Sequence, residues 1–154
     1  MKLRLKEAYM KTAETFAELS HARRLHVGAI VVKDDRIISI GYNGMPAGWD
    51  NNCEYEIYED NGEDEPEVIL KTRPEVLHAE TNAIAKLARS NESGLDGDLF
   101  VTHAPCLDCA KLIYQTGIRR VFFGTAYRDS AGVDFLKASG IQVEQVDLTN
   151  NKSV

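Results

Sequence analysis

His78-Ala79-Glu80 is followed, 28 residues after the histidine, by Pro105-Cys106-Leu107-Asp108-Cys109. One imidazole and two thiolates suit a zinc ion on three sides and leave its fourth position open. That is the ligand count of a catalytic site, whereas structural zinc sites are closed by four protein ligands. Glu80 stands too near His78 in sequence to be a convenient fourth ligand, so its carboxylate is free to handle protons. Two other readings of the same residues compete. Cys53 could close the tetrahedron around His78, Cys106 and Cys109, giving a zinc-binding scaffold without catalysis. Alternatively, Cys106-x-x-Cys109 could be a thioredoxin-like redox pair. The first leaves Glu80 unexplained and the second makes the histidine motif accidental, so a hydrolytic zinc enzyme is the preferred reading.

The hydrophobic pattern puts both metal-bearing segments where helices begin. After Pro74, Ala79, Ala83, Ile84, Leu87 and Ala88 recur at helical spacing until Asn91-Glu92-Ser93-Gly94. A further helix is expected from about Pro105 to Gly117, with Leu112 and Ile113 inward. Helix N-termini favour negative charge and lower thiol pKa values. Cys106 and Cys109 are three apart, so they share a helix face and can reach one ion. Upstream, residues 3–19 suit an amphipathic helix. Two β-branched runs, 27–32 and 37–42, flank Lys33-Asp34-Asp35-Arg36 and read as a β-hairpin. Strands over 99–101, 120–124 and 141–146 and a helix over 133–139 complete the pattern, before a polar tail (149–154) expected to fray.

Strands separated by helices imply an α/β fold: a three-layer α/β/α domain around a five-stranded mixed sheet, with only the first hairpin antiparallel. The 154 residues fit one domain, 1–154, long enough to bury a core without disulfide staples. Residues 43–77 form a long connection carrying an acidic insertion at 50–67, which reads as a solvated, mobile loop. That insertion holds nine acids and no lysine or arginine. Setting the nine aside, 15 of the 24 acids face 18 bases, so the net charge of −6 conceals a body at +3. So small a remainder suits a phosphorylated small molecule and weighs against an enzyme that tracks a nucleic-acid backbone. No apolar run approaches a membrane span, and the N-terminus has no signal-peptide core. Three cysteines, two in Cys-x-x-Cys, fit a reducing cytoplasm.

Four stretches carry a resemblance to the cytidine deaminase superfamily, and within it to the deoxycytidylate (dCMP) deaminases. They are Val27-Gly28-Ala29-Ile30-Val31-Val32-Lys33, Gly41-Tyr42-Asn43-Gly44-Met45-Pro46-Ala47-Gly48, His78-Ala79-Glu80-Thr81-Asn82-Ala83-Ile84, and residues 102–113 around Cys106 and Cys109. The resemblance implies a cytidine deaminase-like fold in which zinc, held by His78, Cys106 and Cys109, activates a water for attack on C4 of cytosine. Glu80 would carry the water's proton to ring N3 and then assist departure of ammonia, turning dCMP into dUMP. It also implies Asn43 at the sugar or base and the backbone around Ala79 at the pyrimidine edge. Arg24, with Arg23 as second candidate, would hold the phosphate, and Tyr127 is a candidate platform for the base. Regulation by dCTP with Mg²⁺ (activating) and dTTP (inhibiting) would place effector or interface residues at Gly44, Gly48 and Arg89 in a hexamer. Other deaminase targets remain open: free cytidine, a pterin or riboflavin precursor, or a tRNA adenosine.

Overall fold

The computed structural model describes residues 1–60, 62 and 64–149. Its elements, in chain order, are α1 (Leu3–Ala17), β1 (Gly28–Lys33), β2 (Arg36–Tyr42), β3 (Glu54–Glu59), β4 (Glu67–Thr72), α2 (Ala79–Ala88), β5 (Asp98–His103), α3 (Leu107–Gln115), β6 (Arg120–Thr125), α4 (Ala131–Ala138) and β7 (Gln142–Gln145). Apart from β3 and β4, each lies within two residues of the bounds expected from the sequence. Among the described residues no helix is long and apolar enough to cross a membrane.

Alternation within the apolar runs sets the layers. Ile30, Val32, Phe100 and Phe122 turn to one face and pack on Met10 and Ala13 of α1. Their neighbours Ala29, Val31, Leu99, Val101, Val121 and Phe123 turn to the other face, against α2, α3 and α4. Both faces are therefore covered, which is why these strands read as unbroken apolar runs. Phe100 and Phe122 stack with ring centroids 4.6 Å apart at the centre of the α1 side. The expected three-layer arrangement is the one found.

The sheet runs β2-β1-β5-β6-β7. Asp34 and Asp35, at φ 51° and 56°, make the tight turn between β1 and β2; two left-handed residues match the twist of a hairpin. One expectation about direction is corrected here. Besides the hairpin, β1 also pairs antiparallel with β5, Ala29 opposite Val101, and only β5-β6 and β6-β7 are parallel. The chain leaves β2, passes along α2 and returns as β5 on the far side of β1, so β2 and β5 run the same way. Strand composition carries no record of that reversal.

The acidic insertion is also corrected. Its described residues are not a solvated mobile loop, because β3 and β4 pair over their full length, with Glu54 opposite Thr72 and Ile57 opposite Ile69. This two-stranded ribbon is a sheet of its own. Asn61 and Glu63 of the insertion, and residues 150–154 of the expected frayed tail, lie outside the described residues.

Candidate active site and metal centre

Strands β2, β5 and β6 share one direction and end at one edge of the sheet, where β1 begins. Register fixes this: Gly28 faces Tyr42, Ala29 faces Val101, and His103 faces Thr125. The residues just beyond those ends therefore gather along the same edge: Arg23 and Arg24 before β1, Asn43 after β2, Cys106 after β5 and Tyr127 after β6. Ligand sites of open α/β sheets form outside such strand ends. The long connection also returns to its start. Gly44 N–H donates to the Leu77 carbonyl at 3.1 Å and Leu77 N–H to the Gly44 carbonyl at 2.8 Å. That bridge delivers His78 beside the end of β2.

Close packing fixes the two helix entrances. A side chain at Gly41 would fall on the Ala79 carbonyl and come within 2.6 Å of the Ala83 nitrogen, so only glycine lets α2 lie this near β2. The Ser39 hydroxyl donates to the Ala83 carbonyl (2.7 Å), and Asn82 Nδ2 to the Tyr42 carbonyl (2.8 Å). Gly132 plays the matching part for α3, since a Cβ there would meet the Pro105 carbonyl and lie 2.8 Å from the Cys106 carbonyl carbon. His78 and Cys106 are the N-cap residues of α2 and α3, and neither side chain is spent on capping. Both remain available for an ion.

His78, Cys106 and Cys109 bring their ligand atoms within 4.8 Å of one another. His78 Nδ1 lies 3.3 Å from Cys109 Sγ and 3.6 Å from Cys106 Sγ. A tetrahedral zinc with bonds of about 2.3 Å to sulfur and 2.0 Å to nitrogen spaces such atoms about 3.5 Å apart. Distance and donor chemistry both fit zinc. Cys109 is buried, Cys106 half-buried and His78 exposed. Cys53 is not in this cluster; it is buried near the ribbon's base, its thiol donating to the Asn51 carbonyl at 3.5 Å.

The Cys106 thiol is held down at about 4, first by a hydrogen bond from Cys109 and then by one from His78. Cys109 is pushed up by its bond with Cys106 and by burial. The bond to Cys106 raises His78. A metal would displace the ligand protons, so loading favours higher pH. The Thr81 hydroxyl lies 3.8 Å from Cys109 Sγ, an outer contact that sequence reading did not single out. Glu80 is 4% exposed at the start of α2, and burial raises its pKa above the ordinary carboxylate range. A carboxylate that readily takes and returns a proton beside a metal centre is suited to hydrolytic proton transfer.

Other expected residues fall into separate groups. Asn43, Gly44 and Gly48 line one cavity of ≈ 270 Å³, together with His21, Asn82 and Lys86. The Asn43 amide already clamps the approach to β1: Oδ1 accepts from Val27 N–H (2.9 Å) and Nδ2 donates to the Leu25 carbonyl (2.8 Å). One N–H and one lone pair remain for a ligand. Arg23 is spent on the ribbon, pairing with Glu56 at 2.8 Å and Glu54 at 3.5 Å. Arg24 is exposed and gives one bond to Thr72 Oγ1 at 3.0 Å, so it is the freer of the two guanidinium groups. Ala79 is fully buried at the first turn of α2, and Tyr127 is 52% exposed. Arg89 caps the far end of α2, away from the metal ligands. Asn82 and Lys86, one helical turn apart, were not anticipated; each is ordinary helix surface until α2 is set beside β2.

Comparison with known proteins agrees with this geometry. The profile described as "Cytidine and deoxycytidylate deaminase zinc-binding region" matches residues 3–125. The deoxycytidylate deaminase of Enterobacteria phage T4 is 34% identical over 155 aligned positions, covering 80% of each chain. "ComE operon protein 2" of Bacillus subtilis is 32% identical, covering 91% of this chain and 70% of its own. Among solved structures, the dCMP deaminase of cyanophage S-TIM5 in complex with dCMP and dUMP is 46% identical with a TM-score of 0.83, covering 94% of this chain and 98% of that one.

Proposed function

The chain belongs to the cytidine and deoxycytidylate deaminase family, and from that premise we propose that it hydrolyses dCMP to dUMP and ammonia, supplying dUMP for thymidylate synthesis. The observation that carries the proposal is the pairing of a three-ligand cluster, His78, Cys106 and Cys109, with a buried carboxylate two residues from the histidine. Zinc, when bound there, polarises a water and lowers its pKa toward neutrality. Everything else falls to the chain. Glu80 accepts the water's proton and delivers it to ring N3 as the water oxygen bonds to C4. It then takes the proton of the new C4 hydroxyl and passes it to the exocyclic nitrogen, so the C4–N bond breaks to release ammonia and the C4 carbonyl of dUMP forms. Its raised pKa suits a group that must act as base and then as acid. Ala79, at the mouth of α2, presents backbone to the pyrimidine edge. Asn43 offers its remaining amide valences to the sugar, Tyr127 packs on the base, and Arg24, assisted by Arg23, holds the phosphate.

Gly44 and Gly48 are the proposed contacts for dCTP with Mg²⁺ or for dTTP, with Arg89 at a subunit contact; they share their cavity with Asn43, so the effector and substrate positions adjoin. Exposed Tyr55, Ile57, Tyr58, Val68 and Ile69 on the ribbon support a homo-oligomer, taken as a hexamer. Cysteine usage supports a cytoplasmic location. Ammonia release from dCMP, CMP, deoxycytidine and dAMP, each with and without dCTP·Mg²⁺, tests the whole reading. The expected order puts dCMP first, with turnover rising on addition of dCTP. Preference for an unphosphorylated nucleoside would remove the role given to Arg24, and no release from any cytosine compound would refute the function.

A further inference from the structure

At the base of the ribbon lies a buried carboxylate that the reaction does not use. The Glu54 side chain is 1% exposed, whereas the other five residues of β3 are open to solvent. Burying a carboxylate is costly unless it is paired and hydrogen-bonded. One oxygen, Oε1, accepts two consecutive backbone N–H groups, Arg23 at 2.8 Å and Arg24 at 3.2 Å. The other, Oε2, has no hydrogen-bond partner and faces Arg23 Nε at 3.5 Å. Directly opposite Glu54 in the ribbon is Thr72, whose hydroxyl oxygen accepts from Arg24 Nη1 at 3.0 Å. The two strands thus grip one turn at two points: Glu54 holds its backbone, and Thr72 holds the far end of the Arg24 side chain. Cys53 and Arg73 close the ribbon next to this grip, with Arg73 N–H donating to the Cys53 carbonyl at 2.8 Å.

We propose that Glu54 is a positioning residue for substrate phosphate: it fixes the backbone from which Arg24 projects, and with Thr72 it aims that guanidinium at the 5′-phosphate of the nucleotide. The proposal rests on the reading that Arg24 binds phosphate. It gives the ribbon a part in substrate choice, because the frame around Arg24 is built from β3 and β4. Guanidinium–phosphate recognition depends on a fork held in register, so a turn free to rotate loses affinity for the phosphorylated substrate above all. The acceptor oxygen matters here more than the charge, since both backbone bonds converge on Oε1.

The test compares kcat and KM for dCMP and for deoxycytidine with the zinc-loaded, full-length protein. Glu54→Leu removes the acceptor at similar volume. It is expected to raise KM for dCMP about tenfold and to lower the ratio of kcat/KM for dCMP to that for deoxycytidine by about the same factor. Glu54→Gln retains an acceptor oxygen and should restore that ratio to within about twofold of the parent. Thr72 is itself only half-buried, so Thr72→Val should fold and lower the ratio about threefold, which keeps the test informative if Glu54→Leu does not fold. Glu59→Gln, at the exposed far end of β3, is the control and should leave the ratio in place. If Arg24→Ala lowers the ratio but Glu54→Leu and Thr72→Val do not, phosphate binding by Arg24 stands and the positioning role is refuted. The role also fails if the variants depress both substrates equally. Should Arg24→Ala leave the ratio unchanged, the phosphate reading itself is wrong and the positioning role goes with it.

Discussion

Glu80→Gln removes one ionisable group and almost no volume from the first turn of α2. The three metal-ligand side chains are untouched, so zinc content should stay at one per chain. The effect on turnover follows from burial and from the number of proton transfers. General acid–base catalysis by one positioned side chain contributes roughly 10²–10⁴-fold. Glu80 serves twice in each cycle, and at 4% exposure it leaves little room for bulk water to substitute. The loss in kcat should therefore reach the top of that range, about 10⁴-fold, or about 5 kcal/mol of barrier. Folding should not suffer, because burial works against the ionised carboxylate, as its raised pKa records. The assay pairs ammonia release from dCMP with elemental analysis of the same sample. Turnover within tenfold of the parent would refute the assignment of the proton shuttle. Loss of zinc together with activity would instead make Glu80 a metal ligand.

Three further outcomes follow from the packing. Cys53→Ser should retain zinc at full stoichiometry, since Cys53 is outside the ligand cluster; metal loss in that variant would favour a closed structural site. Gly41→Ala should cost about 1–3 kcal/mol in urea unfolding, because its Cβ has no room beside Ala79 and Ala83; a cost under about 0.5 kcal/mol would mean α2 does not press on β2 as described. His103 is half-buried, and burial lowers its pKa below the ordinary histidine value. Folding therefore favours its neutral form, so this contribution is present above about pH 6.5 and is lost as pH falls through the depressed folded value. His103→Gln should flatten the fall in stability as pH drops below about 6.5, and an unchanged slope would assign that fall to other groups.

How far the sequence revealed the molecule varied with the kind of signal. The metal ligands were legible because thiols three apart at a helix entrance and a distant His-x-Glu have few structural reasons to coexist. The strands of the main sheet were legible because burial on both faces demands uninterrupted apolar runs, as at Ala29–Val32 and Leu99–Val101. The ribbon was not. Glu54-Tyr55-Glu56-Ile57-Tyr58-Glu59 sets acids among its aromatic and branched residues, and its charge resembled a solvated tract more than a strand. Glu54 was hidden for the same reason, as one acid among nine. The antiparallel pairing of β1 with β5 depends on the path through α2, which no local pattern encodes. Arg24 was preferred to Arg23 on the family resemblance alone; the Glu54 and Glu56 carboxylates beside Arg23 are the physical difference between the two.

Zinc K-edge absorption on the purified, metal-loaded protein tests the centre most directly. The expected first shell has two sulfurs at about 2.3 Å and two lighter atoms at about 2.0–2.1 Å, only one of the latter showing the outer scattering of an imidazole. Three sulfurs, or two imidazoles, would mean that a protein group fills the position required for water, and hydrolysis at this site would be contradicted.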